Sequence, residues 1–159
     1  MRLILLVPTV IVIIVGAVGL YFVTLQRPQV RTITVTATDF KYSVDGGEAQ
    51  ITLNAGEEVR VIFENRGKYD HEFLLVKDKD QVINAVKEKL EAGASDAELD
   101  KLKAEMAYMG IRFESEPGGT SIFRLRLTER GTYYFLCLET EPEEEPHAEH
   151  GEIGVIVVQ

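Results

Sequence analysis

Seven short runs of alternating β-branched and polar residues constrain this chain most: 32–37, 50–54, 58–65, 72–76, 120–128, 132–136 and 154–158. Side chains of an extended strand point to opposite faces with a period of two, so TITVTA and EVRVIFEN each present one apolar face. Val59, Val61 and Phe63 share such a face, and Phe123, Leu125 and Leu127 form a second set. Turn-forming stretches separate the runs: Asp45-Gly46-Gly47, Asn54-Ala55-Gly56, Asn65-Arg66-Gly67, Pro117-Gly118-Gly119 and Arg130-Gly131. Half-apolar strands have to bury one face against another sheet, which predicts an antiparallel β-sandwich.

The period changes between residues 77 and 117. Val82, Ile83, Val86 and Leu90 recur at helical spacing, and Gly93 offers a stop. Ser95-Asp96-Ala97-Glu98 is a capping-box pattern, followed by a stripe of Leu99, Leu102 and Met106 that ends at Gly110. A helical hairpin inserted into a β domain is expected, with its apolar stripes packed on the sandwich rather than forming a separate unit.

The first 26 residues have a different character. Leu3–Val23 is almost wholly apolar, and 21 residues at helical rise span about 30 Å, the thickness of a bilayer's hydrocarbon core. The run exceeds the h-region of a signal peptide, so residues 1–26 are expected to be a retained transmembrane helix rather than a cleaved leader. Residues 27–31 would be a linker and 32–159 the globular domain, with the helical insertion at 77–117. Arg2 lies on one side of the run and Arg27 and Arg31 on the other, so charge does not set the orientation.

The 159 residues carry 17 Lys and Arg against 26 Asp and Glu, a formal charge of −9, which argues against a nucleic-acid-binding role. A single cysteine excludes an internal disulfide and a CxxC redox or zinc pair. The soft donors are few and similarly placed. His71 opens a strand, Cys137 closes one, and His147 and His150 lie in the loop before the last. One thiolate and two imidazoles are the trigonal set used by copper electron-transfer sites, completed by a weaker axial donor. The same residues with a carboxylate also suit a closed tetrahedral zinc site.

The stretches NRGKYDHEFLLV, GTYYFLC and PHAEHGEIGVIVV resemble the cupredoxins, the blue copper family, over residues 32–159 apart from the helical insertion. The resemblance implies an all-β fold, a Greek-key β-sandwich, and one mononuclear copper ion held by His71, Cys137 and His147. It departs from the family in two places. Nine residues separate Cys137 from His147, and Glu152 stands where the family carries its axial methionine. A carboxylate is harder than a thioether and favours Cu(II), so a lower potential and a red- or green-type site are expected. His150 is an alternative imidazole ligand. Met106 or Met109 is an alternative axial donor, although helical spacing assigns Met106 to the core. Glu141 stands four residues after Cys137, where the dinuclear centre of oxidase subunit II needs a second cysteine, so such a centre is excluded.

Residues 139–152 contain seven glutamates and no Lys or Arg. In the family, electrons leave through the exposed edge of the C-terminal His. Glu141, Glu143, Glu144, Glu145 and Glu149 would therefore ring that exit and attract a basic redox partner such as a cytochrome c, or a membrane oxidase. The resemblance implies a copper electron carrier. With the apolar first segment, and with copper scarce and thiols reduced in the cytoplasm, a membrane-anchored carrier facing the periplasm or cell exterior in a respiratory chain is expected. Copper delivery, an accessory oxidase subunit and a small-molecule site at an open coordination position are the competing readings.

Overall fold

A computed structural model describes residues 30–142 and 144–159. The expected transmembrane helix lies outside these residues, as does most of the 27–31 linker; among the described residues no helix is long and apolar enough to cross a membrane.

Among the described residues, nine strands form two sheets. The first, in the order β2-β1-β4-β7, contains Arg31–Thr38 (β1), Lys41–Val44 (β2), Glu58–Asn65 (β4) and Thr120–Arg126 (β7). The second runs β3-β9-β8-β5-β6, from Gln50–Leu53 (β3), Ile153–Val158 (β9), Gly131–Leu136 (β8), His71–Val76 (β5) and Arg112–Ser115 (β6). The pairings β1–β4 and β3–β9 are parallel and the others antiparallel, so the sandwich is mixed rather than wholly antiparallel.

The alternation buries the expected faces. Val59, Val61, Phe63, Phe123, Leu125 and Leu127 all lie in the core between the sheets. Phe73 and Phe135 stack in parallel at its centre, with ring centroids 4.9 Å apart. Phe135 pairs across the ladder with Gly154, where a Cβ would lie 1.9 Å from the Phe135 ring. Gly154→Ala is therefore expected to push Phe135 off Phe73 and to cost about 3 kcal/mol, the upper range for overpacking. Urea unfolding of the metal-free protein measures the cost as a fall in midpoint at constant slope.

β5 is buried at every position, unlike a strand with one solvated face. The inserted helices Lys79–Glu91 (α1) and Asp96–Met106 (α2) supply its second cover. Val82, Ile83, Val86 and Leu99 join Leu74, Val76, Leu136 and Leu138 in a second core outside the five-stranded sheet. The second helix starts at the expected Ser95–Glu98 capping box, and the structure adds an Asp78 side-chain cap to the first. The insertion does not stay helical to residue 117. Arg112–Ser115 pairs with β5 as an edge strand, and Phe113 stacks on Phe123 at 4.0 Å. β2 carries no sequence signal because four residues, KYSV, are too short for alternation to register.

Candidate metal centre

Three neighbouring strands, β5, β8 and β9, end at one pole of the second sheet and carry the donors there. His71 is the first residue of β5. Cys137 directly follows β8, His147 opens a short 3-10 turn at His147–His150, and Glu152 directly precedes β9. The turn before His71 is built by Asn65, whose side-chain amide donates to the carbonyls of Tyr69 (2.8 Å) and Ser115 (2.7 Å) and whose oxygen accepts from the Gly67 N–H (2.9 Å). Gly67 is a close approach: a Cβ there would lie 2.6 Å from His71 Nε2. Backbone bonds tie the remaining loops together, from Ala148 N–H to the Cys137 carbonyl (2.9 Å) and from His147 N–H to the Glu139 carbonyl (2.9 Å).

His71, Cys137, His147 and Glu152 form one group, each with no exposed surface, and one ligand atom from each lies within 4.8 Å of the others. Cys137 Sγ is 3.4 Å from His147 Nδ1 and 4.0 Å from His71 Nδ1. Glu152 Oε2 is 2.9 Å from His71 Nδ1 and 3.2 Å from His147 Nδ1. The His147 tautomer follows from its outer nitrogen. Nε2 faces the Glu141 carbonyl at 2.6 Å and must donate to it, leaving the Nδ1 lone pair aimed at the centre.

The donor set fits a cation. Glu152 Oε1 is buried without a hydrogen-bond partner, an expensive arrangement for a carboxylate surrounded by protein. Burial pushes the Cys137 thiol well above its ordinary pKa, and the charges of Glu152 and Glu72 add to the shift. A divalent ion balances one thiolate and one carboxylate, and imidazole and thiolate donors suit copper. For His147, burial lowers the imidazole pKa, but Glu152 and the Glu141 carbonyl more than offset it, so the group stands above its usual value. Protons on Cys137 and His147 therefore compete with a metal. Apparent copper affinity is expected to rise about tenfold or more per pH unit near neutrality, one proton being displaced from the thiol at least. Competition titrations with a chelator of known pH dependence measure this slope.

Other expectations are corrected here. His150 does not join the donors; its ring lies outside the group, 5.1 Å from Phe40. The edge of His147 is not exposed either. Phe40 meets its ring edge-on at 4.9 Å and Tyr69 lies at 6.4 Å, so aromatic rings cover the imidazole. Phe40 sits at φ 58°, a left-handed conformation uncommon outside glycine, in the turn that places its ring there. Met106 packs with the second core, as helical spacing implies, and Met109 is exposed. Among the acidic rim, Glu141, Glu144, Glu145 and Glu149 are solvent-facing; Glu149 also lies 3.4 Å from Lys87. Glu143 lies outside the described residues.

Solved structures share this architecture. Reduced auracyanin from the photosynthetic bacterium Roseiflexus castenholzii superposes with a TM-score of 0.57 at 22% identity, covering 80% of this chain and 96% of that one. Auracyanin A, a "blue" copper protein from Chloroflexus aurantiacus, gives 0.52 at 18% identity over 80% of this chain and 98% of its own. The fold is that of the cupredoxins. A chain of a heme-copper terminal oxidase dimer also matches, with a TM-score of 0.51 at 14% identity, covering 98% of this chain and 92% of that one. No protein-family model and no curated protein matches the sequence. Within the cupredoxin frame, His71, Cys137, His147 and Glu152 are the group suited to one copper ion.

Sequence reasoning missed Glu72 and its partners. Glu72 is fully buried beside His71; its N–H donates to Cys137 Sγ (3.3 Å) and its carboxylate accepts from the Leu138 N–H (2.8 Å) and from Arg112 Nε (2.7 Å). The only local signal is a carboxylate between His71 and the apolar run FLLV.

Proposed function

We propose that this cupredoxin domain is a mononuclear copper electron carrier. The observation that carries the reading is the convergence of one thiol, two imidazole Nδ1 atoms and one carboxylate oxygen at a pole sealed from solvent. Bound copper supplies a one-electron couple. The chain's own part is to hold the four donors in place with loops cross-linked by backbone hydrogen bonds, to exclude water, and to leave a covered route outward. A rigid donor set lowers the reorganisation that electron transfer demands, and the single cysteine cannot supply the two thiolates of a dinuclear centre. The closed cover of Phe40 and Tyr69 favours electron transfer over a small-molecule site with an open coordination position.

Residues 1–26 would anchor the domain in a membrane, with the copper site on the extracytoplasmic side, where copper is available and thiols are not held reduced. A respiratory role is the corresponding setting, and the structural likeness to an oxidase chain supports a redox partner of that kind. Since His147 is covered, the partner would approach over Phe40, Tyr69 and His150, beside the acidic loop. A basic cytochrome c is the partner class that this charge selects.

Stopped-flow reduction of the copper-loaded protein by a basic cytochrome c tests both statements. Bimolecular transfer is expected, with a rate that falls steeply as ionic strength rises. A flat salt dependence overturns the electrostatic partner. Copper that binds but does not cycle between oxidation states overturns the carrier reading in favour of copper delivery.

A further inference from the structure

The cluster formed by Glu72, Arg112, Lys103 and Glu139 lies beside the metal-binding group and is not part of it. Its carboxylates already hold two cations. Arg112 Nε donates to Glu72 Oε2 at 2.7 Å, and Lys103 Nζ sits 2.7 Å from Glu139 Oε1 and 3.6 Å from Glu72 Oε1. Arg112 also reaches Asp100 on α2 (2.9 Å) and Glu114 on β6. It is therefore an internal ion network rather than a second metal site.

Every polar group of Glu72 is committed. Its N–H points at the sulfur of Cys137, its carbonyl accepts from the Tyr42 hydroxyl, one carboxylate oxygen accepts from the Leu138 N–H, and the other from Arg112. Glu72 thus grips the residue that follows Cys137 while also donating to the sulfur itself. Lys103 grips Glu139, one residue further along. The two cations that lock this carboxylate come from the inserted segment: Lys103 from α2 and Arg112 from the edge strand that follows it.

Burying Lys103 to 5% exposure is costly for an ammonium group and is tolerable only with well-placed counter-charges. Burial pulls its pKa down, but Glu72 and Glu139 more than offset that, so it stays protonated. By contrast, Lys101 on the same helix is exposed and lies 3.9 Å from Glu105 alone.

We infer that the helical insertion is a clamp on the copper site: Lys103 and Arg112 act through the Glu72 carboxylate as positioning residues that fix the Cys137–Glu139 loop and the hydrogen bond to the sulfur. This rests on the reading of the site as a copper centre. Outer-shell partners that orient ligands typically change metal affinity 10–100-fold when removed. Charge adds a second signature. Removing a cation near the ion stabilises Cu(II) and lowers the potential, whereas removing the Glu72 charge raises it.

The test uses the full chain. Wild type, Lys103→Met, Glu72→Gln and the control Lys101→Met are compared in the metal-free form by hydrogen exchange, and after copper loading by absorption, potential and copper loss to a chelator. Lys103→Met is expected to speed exchange of the Leu138 amide, shift the thiolate-to-copper band, lower the potential and release copper at least tenfold faster. Glu72→Gln is expected to move the potential the opposite way, and Lys101→Met to change nothing. Should Lys103→Met fail to fold, Lys103→Gln keeps a donor on a shorter, uncharged side chain and answers the same questions.

Wild-type exchange at Leu138 together with an unchanged band and copper-release rate in the Lys103 variants overturns the clamp. A wild-type protein without any thiolate-to-copper band overturns the copper reading, and the metal-free exchange data then still decide whether α2 holds the loop.

Discussion

Cys137→Ser is expected to abolish the intense visible absorption of the copper-loaded protein. The colour of such a site comes from charge transfer out of a thiolate, and a serine hydroxyl neither ionises near neutral pH nor forms that covalent bond. Cys137 is the chain's single cysteine, Met106 packs in the second core and Met109 is exposed, so no other sulfur stands ready to replace it. Its removal takes away the one ligand whose bond strongly favours copper over a hard cation. Affinity is expected to fall by orders of magnitude while the metal-free fold persists, since serine is close to cysteine in volume. Absorption and EPR spectra of the loaded variant, beside thermal unfolding without metal, separate the two effects. An intense band that survives the substitution shows that the sulfur is not a ligand.

Glu152→Met is the second large change. Glu152 Oε2 is the donor nearest both imidazoles, at 2.9 and 3.2 Å, and it brings a buried negative charge beside the sulfur. A thioether is softer and neutral, and both properties favour Cu(I), so the potential is expected to rise and the spectrum to move toward blue. Glu152→Gln divides the two causes by keeping an oxygen while removing the charge. If softness matters beyond charge, methionine raises the potential further than glutamine does. Wild-type potential and colour in Glu152→Met exclude the carboxylate from the coordination sphere.

Much of this molecule was legible because its signals are local. Alternation located the strands within about two residues wherever one face is buried against the core, as in Glu58–Asn65. The Ser95–Glu98 capping box marked the start of the second inserted helix. The limits of that reading are local too. Arg112–Ser115 looks like the tail of a helical segment and becomes a strand because β5 offers an open edge and Phe123 offers a ring for Phe113. After His71 and Glu72, β5 reads as an unbroken apolar run, and nothing within six residues says that helices cover its outer side.

The donor types and their strand-end positions were visible in the chain as written, because a thiol and a few histidines are scarce and turns announce themselves. Folding chose among them. His71 meets Cys137 across 66 positions and Glu152 across 81, and no local pattern encodes contacts of that range. The same long-range packing set His150 aside, drew aromatic cover over His147, and enclosed Glu72 between an arginine and a lysine from the insertion. Periodicity is a property of neighbours along the chain, whereas burial and ion pairing belong to neighbours in space.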